Sequence, residues 1–447
     1  MRIAFVAANR ERLPDPVVPL GLLYVKGSVA HAHETILIDL CWEDDPEATL
    51  RARLAAFAPD LVAMGLRNLQ NADYTGTRDN LEYYARLMRA IRATTAAPVV
   101  LGGGGFSVLA RGLMKRLQPD FGILGEAERS FPELVARLQR GHRDFSGVSG
   151  LHYFAGDALV AEPLAADFVE LDHLARPART RVDVCYYSAN GIDSVQTKRG
   201  CTLACEYCTY PLIEGRRVRT RAPGLVVDEL LAARAEQPLI SHFFIVDSVF
   251  TLPPEHAKAV CREMAARGFA TPWTCYASPL GFDQELATLM AQAGCTGMEI
   301  GSDSGSDAVL TRLRKGFDTA AIRAMSAVCK ETGLRDCHTF VLGTSGESLD
   351  DVRHSLAFLD TLDPFAAILM IWTDDEEALS PELTAERLDF RQAVIGLVAE
   401  ATAVHPRWIV PALFANYDPR LFRLLRRRGL TGPLWQYVDR VEPKKGS

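Results

Sequence analysis

A chain of 447 residues that is 48% apolar and 23% charged has the make-up of an ordinary globular protein, with enough length for two domains and two cores. Its net charge of −7 disfavours a general nucleic-acid binder, and no apolar run approaches the roughly 20 residues that cross a bilayer. The start, Met1-Arg2-Ile3-Ala4-Phe5-Val6-Ala7, opens as a strand and not as an export signal, which predicts a cytoplasmic protein whose ten cysteines are reduced.

Residues 1–140 alternate apolar runs with amphipathic segments. Strands are predicted at Arg2 to Ala7, Thr35 to Leu40, Leu61 to Leu66, Pro98 to Leu101 and Phe121 to Leu124, with helical periodicity between them, as in Asn80 to Thr94. Five strands in this rhythm predict an α/β domain built on a doubly wound, flavodoxin-like parallel sheet, which binds ligands beyond the carboxyl ends of its strands. The unusual residues fall there: Arg67 and Asn68 after the third strand, Gly102, Gly103, Gly104, Gly105, Phe106 and Ser107 after the fourth, Gly125 and Glu126 after the fifth. Four consecutive glycines let a bulky ligand lie on bare backbone, and Ser107 is placed to cap the next helix. As a turn signal alone, the run equally suits a tight strand-to-helix corner. Residues 141–190 read as a structured linker, with a hairpin about Gly156-Asp157 and a proline-bearing connector at Arg176 to Arg179.

The run Lys198-Arg199-Gly200-Cys201-Thr202-Leu203-Ala204-Cys205-Glu206-Tyr207-Cys208 sets three thiolates on one tight loop. Three thiolates hold a four-iron four-sulfur cluster and leave one iron open to an exogenous ligand. A zinc knuckle wants a fourth Cys or His at ligand spacing, and none follows closely; a disulfide is out of place in a reducing compartment. The other seven cysteines, Cys41, Cys185, Cys261, Cys275, Cys295, Cys329 and Cys337, are most simply small core residues.

The CxxxCxxC spacing, with Tyr207 before its last cysteine, resembles that of the radical S-adenosylmethionine (SAM) enzymes. The resemblance implies that SAM chelates the open iron, that one electron cleaves a carbon–sulfur bond, and that a 5'-deoxyadenosyl radical takes hydrogen from the substrate. It also implies an external electron donor of flavodoxin or ferredoxin type. The domain ahead of the motif resembles the cobalamin-binding domain of one large subgroup, which implies cobalamin at Asn68, Gly102, Gly103, Gly104, Gly105, Phe106, Ser107, Gly125 and Glu126. Many such domains carry Asp-x-His-x-x-Gly, and nothing in residues 1–140 fits it. The nearest string, Asp336-Cys337-His338-Thr339-Phe340-Val341, is incomplete and in the wrong domain, so the lower face of cobalt is expected to lack a histidine.

From residue 191 to 380 the rhythm resumes. Strands are predicted at Ser194 to Lys198, Phe243 to Val246, Pro272 to Tyr276, Gly297 to Ile300, Asp336 to Leu342 and Ala366 to Trp372. Helices are predicted at Pro223 to Glu236, Pro254 to Arg267, Asp283 to Ala293, Thr319 to Thr332 and Ser348 to Leu362. Six units predict a partial (β/α)6 barrel with its chemistry at the carboxyl ends of the strands. The string Gly297-Met298-Glu299-Ile300-Gly301-Ser302-Asp303, with Lys315-Gly316 beyond it, is similar to the family's fourth-strand motif. The resemblance implies that Tyr207, Asp247, Glu299, Ser302 and Asp303 contact SAM; Ser306 or Asp307 is placed to cap a helix in any case. Arg216, Arg217, Arg219 and Arg221 offer a site for an anion or a solvated basic face, and Asp374 to Glu377 read as a solvated loop. Residues 381–447, with helices near Leu388 to Val404 and Pro419 to Arg428, are expected to form a small helical cap over the substrate.

The leading expectation is a radical SAM enzyme that methylates a carbon of a small-molecule or natural-product substrate with cobalamin. Cyclisation, rearrangement or oxidation by the same architecture, and a non-catalytic iron–sulfur or cobalamin sensor, stand beside it. The radical itself accepts hydrogen, so no general base is named.

Overall fold

The computed structural model describes residues 1–12, 15–69, 80–165, 168–373, 385–410 and 427–440. Five strands, β1 (Arg2–Ala7), β2 (Glu34–Asp39), β3 (Leu61–Gly65), β4 (Val99–Gly102) and β5 (Phe121–Ile123), run parallel in the order β2-β1-β3-β4-β5. These are the expected five. The strand β1 reads as an unbroken apolar run because both of its faces are covered. Ala4 and Val6 pack with Leu50, Leu54 and Leu87 of helices Pro46–Phe57 and Asn80–Thr94; Ile3 and Phe5 pack on the other face with Val29, Phe131 and Leu134. The linker hairpin, β6 (Leu151–Ala155) and β7 (Ala158–Ala161), lies antiparallel beside β5 and extends this sheet to seven strands.

The expected strand at Ser194 to Lys198 is split in two. The strand β8 (Ile192–Val195) stops early because the N–H groups of Thr197 and Lys198 donate to the Asp247 carboxylate, at 2.7 and 3.2 Å. The chain then forms β9 (Lys198–Arg199), paired antiparallel with β10 (Arg219–Thr220), and this pair brackets the cysteine loop. Next come β11 (His242–Ile245), β12 (Trp273–Ala277), β13 (Cys295–Asp303), β14 (Arg335–Leu342), β15 (Ala366–Ile371) and β16 (Trp408–Ile409). With β8 they make a second parallel sheet, β8-β11-β12-β13-β14-β15-β16, whose edges β8 and β16 do not pair, so the barrel stays open. The seventh strand, β16, follows helix Ala385–Val404 and adds a strand where only a helical cap was expected. Helices Pro223–Glu236 and Thr319–Thr332 have their predicted bounds. Pro223 suits a first turn, Asp318 caps the second helix by accepting the N–H of Ala321, and Gly333 ends it at φ +73°.

Along the strands, Cys275, Met298 and Ile300 pack under the outer helices. The alternate residues Phe244, Tyr276, Glu299 and Met370 face the concave side. Tyr276 is 38% exposed and Met370 45%, although both sit on interior strands, so this side is an open lumen. Its floor is built by the 3-10 helix Leu434–Arg440, whose Trp435 packs with Cys337 and Ala366 and stands 2.8 Å from where a side chain at Gly297 would begin. The described part of the expected cap thus closes the end of the barrel away from the cysteine loop. The helix expected at Pro419 to Arg428, except its last two residues, and the acidic run Asp374 to Glu377 lie outside the described residues. No described helix is long and apolar enough to cross a membrane.

Candidate cluster and cofactor sites

The strand β9 hands the chain to Gly200, where φ is +86° and a side chain would strike the Arg217 carbonyl oxygen at 2.1 Å, so only glycine fits. The loop beyond is pinned along its length. The N–H of Gly200 donates to the Glu214 carboxylate (3.0 Å), that of Cys201 to the Gly215 carbonyl (3.2 Å) and that of Glu206 to the Leu313 carbonyl (3.0 Å). Cys201 is buried, Cys205 and Cys208 are half-buried, and all three are free thiols. Burial pushes the Cys205 and Cys208 thiols up, against the pull of the Lys315 ammonium. A metal that displaces the two protons relieves that cost. Three thiolates on a fixed loop fit a four-iron cluster with one open iron. Among the described residues no three His, Cys, Asp or Glu side chains gather tightly enough for the single ion that a zinc knuckle holds.

Beside the loop stands a buried triad that only the fold assembles. A bulge between Gly301 and Asp303 ends β13 and turns Asp303 to φ +64°, a left-handed conformation that Asp tolerates better than most residues. Its carboxylate accepts from the Tyr207 hydroxyl and pairs with the Lys315 ammonium at 2.5 Å. Lys315 also donates to the Tyr207 oxygen (3.2 Å) and lies 5.5 Å from its ring centre, while Trp372 meets that ring edge-on. Tyr207 and Asp303, both expected at SAM, therefore stand together next to Cys205. A lone lysine twelve residues past the end of β13 carries no sequence signal of the partner that Lys315 finds.

Three other expected SAM contacts stand elsewhere. Asp247 is fully buried and spends its carboxylate on the backbone of Thr197 and Lys198 and on the Thr197 hydroxyl, so it fastens the base of the cysteine loop. Ser302 faces the helices; its hydroxyl shares a 2.7 Å hydrogen bond with His338, whose other ring nitrogen lies 3.3 Å from Asp336. Plain alternation explains this: Ser302 shares the outer face with Met298 and Ile300, and Asp303 shares the inner face with Glu299. All three of these residues are sealed between sheet and helices, so the Ser-His-Asp series is a structural link and not a nucleophile. Glu299 lies deeper in the lumen, four residues before Asp303 on β13, where its carboxylate accepts from the Trp435 indole N–H at 2.9 Å.

The carboxyl edge of the first sheet shows how the glycine run is used. A side chain at Gly103 (φ +99°) would meet the Leu66 carbonyl oxygen at 2.6 Å and one at Gly105 the Arg67 carbonyl oxygen at 3.1 Å, so these two glycines let β4 close on the loop after β3. Gly104 and Gly125 pack against Ile213, in helix Tyr210–Glu214 directly after the cysteine loop. Gly102 alone of the run stands clear, with nothing nearer than the Ile123 carbonyl oxygen at 3.8 Å. Ser107 donates to the Gly103 carbonyl and accepts from the Gly125 N–H, tying the two turns together. Phe106 is fully buried against Gly122 and His152 and is a core residue, not a ligand contact. Glu126 is taken by Arg219 and Arg199, which removes it too from the ligand edge. Arg67 is exposed and Asn68 half-buried. Among the described residues, Asn9 Nδ2, Asp39 Oδ2, Trp42 Nε1 and Tyr83 Oη are buried without a hydrogen-bond partner around the carboxyl ends of β1 and β2. Asn9, just past β1, borders the β1/β3 switch point, where a doubly wound sheet takes a large polar ligand such as cobalamin, while Asp39 and Trp42 lie against Tyr186 of the second domain.

The basic run after the cysteine loop divides by burial. Arg219 holds Glu126, Arg221 holds Glu229 at 2.8 Å and reaches Tyr24, and Arg199 holds Glu128 at 2.6 Å. Burial works to raise the Glu128 carboxyl, but the Arg199 guanidinium outweighs it and holds that group below the ordinary range. The Arg199–Glu128 and Arg219–Glu126 pairs cross between the two sheets and Arg221–Glu229 lies within the second domain, while Arg216 and Arg217 are exposed, so the four arginines of the run are not one anion site.

A doubly wound sheet whose carboxyl edge abuts a three-cysteine loop on an open parallel barrel defines a two-cofactor enzyme of the radical SAM class. Residues 195–359 match the model of the radical SAM superfamily, and residues 8–135 match that of the B12 binding domain. The chain belongs to the radical SAM enzymes that carry a B12-binding domain ahead of the radical SAM domain. It is 27% identical over 420 residues to a tryptophan 2-C-methyltransferase of Streptomyces laurentii, covering 79% of this chain and 70% of that one. It is 26% identical over 348 residues to an uncharacterized methyltransferase of Pyrococcus horikoshii, covering 77% and 73%. Its fold matches the radical SAM methyltransferase TsrM of Kitasatospora setae, solved with cobalamin and a [4Fe-4S] cluster, with a TM-score of 0.85 at 22% identity over 98% of this chain and 97% of that one.

Proposed function

We propose that the protein transfers a methyl group to a carbon of a small-molecule substrate, using SAM, a four-iron cluster and cobalamin. The observation that carries this reading is the packing of Gly104 and Gly125 on Ile213, which sets the cobalamin edge of one sheet against the helix that leaves the cysteine loop. When bound, the cluster supplies an electron to SAM and cobalamin carries the methyl group. Cys201, Cys205 and Cys208 would hold the cluster. Asp303 and Tyr207, kept in place by Lys315, would present acceptor oxygens to the ribose and amino-acid end of SAM. Gly102, Asn68 and Arg67 would meet cobalamin. The other residues earlier expected at the ligands act one step behind: Asp247 on the loop base, Ser107 on the glycine turns, Glu126 on the domain contact. A methyltransferase sibling supports methylation over cyclisation or oxidation. The lumen below receives substrate, electrons come from a flavodoxin- or ferredoxin-type donor, and a cytoplasmic location suits the free thiols.

Anaerobically reconstituted protein supplied with hydroxocobalamin should hold about four iron and about one cobalt, and should pass label from methyl-labelled SAM to a product one methylene heavier. Cys205→Ala should abolish transfer and lower iron while leaving cobalt. Iron without cobalt would remove methyl transfer and leave radical chemistry standing.

A further inference from the structure

We propose that the barrel lumen seats an aromatic substrate bearing a basic nitrogen, and that Glu299 is the specificity-determining residue that receives this nitrogen. The inference rests on the function proposed above and names its substrate class. Glu299 and Tyr276 are register partners on neighbouring strands, so both side chains stand at one level of the lumen. The Phe244 and Tyr276 rings meet edge to face at 4.8 Å, and Met370 is exposed to the same space. Such a wall takes an aromatic ring and favours a cation.

The charge on the floor points the same way. Among the described residues, the one hydrogen bond to the Glu299 carboxylate comes from Trp435 and uses one oxygen, and no Lys or Arg pairs with it. Burial, and after it the nearby Asp15 carboxylate, push Glu299 up to about 7. A carboxylate held in an apolar chamber beside a second carboxylate is relieved by a cation or an N–H donor, and it repels an anion. Asp303 stands four residue steps along β13 from Glu299, a depth of about 13 Å. A molecule anchored at Glu299 by its nitrogen would raise its ring toward the cysteine loop.

Binding to the reconstituted holoprotein decides this, measured by calorimetry with three near-isosteric probes: 2-phenylethylamine, 2-phenylethanol and phenylacetate. The amine should bind at least about tenfold more tightly than the alcohol, and phenylacetate most weakly. Glu299→Gln, which keeps an acceptor for Trp435, should remove the preference for the amine while leaving the alcohol, iron and cobalt unchanged. Glu299→Asp, which withdraws the carboxylate by one methylene, should weaken the preference and serves if the Gln variant does not fold. Equal binding of amine and alcohol, no binding of any probe, or an undiminished amine preference in Glu299→Gln would overturn the proposal. Because the readout is binding, a failure of methyl transfer with the preference intact would fall on the enzymatic reading alone.

Discussion

At the scale of single residues, the site is a set of polar groups whose partners decide their use. Asp303 and Asp247 are both buried carboxylates, yet one stands beside the cysteine loop with a hydroxyl and an ammonium, while the other is saturated by backbone. Glu299 differs from both because burial is only partly offset by one indole N–H. Its carboxyl sits near 7 in the fold, above the ordinary 4.5, so the fold binds its proton more tightly than the unfolded chain does. The resulting stabilisation is complete below pH 4.5 and is lost as pH rises through about 7. Denaturant titrations should show stability falling across that window, and Glu299→Gln should flatten the fall. An unchanged slope in the variant would assign the effect to another group.

At the scale of elements, local signals were readable and their orientation was not. The CxxxCxxC loop, the five strands of the first sheet and helices such as Thr319–Thr332 are written in contiguous residues with their own caps and periods. Ser302 was misplaced because a motif read as one contiguous string ignores the two-residue period of β13, which sets Ser302 with Met298 and Ile300 under the helices and Glu299 and Asp303 toward the lumen. Phe106 reads as part of a glycine turn, yet its ring fills the space beside Gly122. Trp435 and Lys315 reach the barrel from remote segments, so only the assembled fold reveals them. The glycine run divides in the same way, which gives a paired test. Gly103→Ala must put a side chain at φ +99° against the Leu66 carbonyl oxygen and should cost on the order of 1–3 kcal/mol. Gly102→Ala meets open space, so it should leave the melting temperature in place and lower the cobalt bound per chain.

At the scale of the molecule, the two sheets are joined by buried ion pairs. Arg199 is 6% exposed and Glu128 5%, so water does little to screen them. Removing the arginine strands Glu128 and also frees Gln196, which accepts from Arg199 at 2.8 Å and itself donates to Glu214 under the cysteine loop. Arg199→Ala should therefore destabilise the protein by on the order of 3–5 kcal/mol, with iron retention falling alongside. Glu82→Ala, at an exposed pair with Arg89 on the first domain's surface, should do neither. Equal losses in the two variants would show that the domain contact does not support the cluster loop.

Trp435 gives the barrel a cul-de-sac. With that end closed, whatever reaches the deep end passes either the cysteine loop and Asp303 or the unpaired seam between β8 and β16. SAM seated at the loop would narrow the first of these ways, so excess SAM would slow the arrival of substrate and raise its apparent KM.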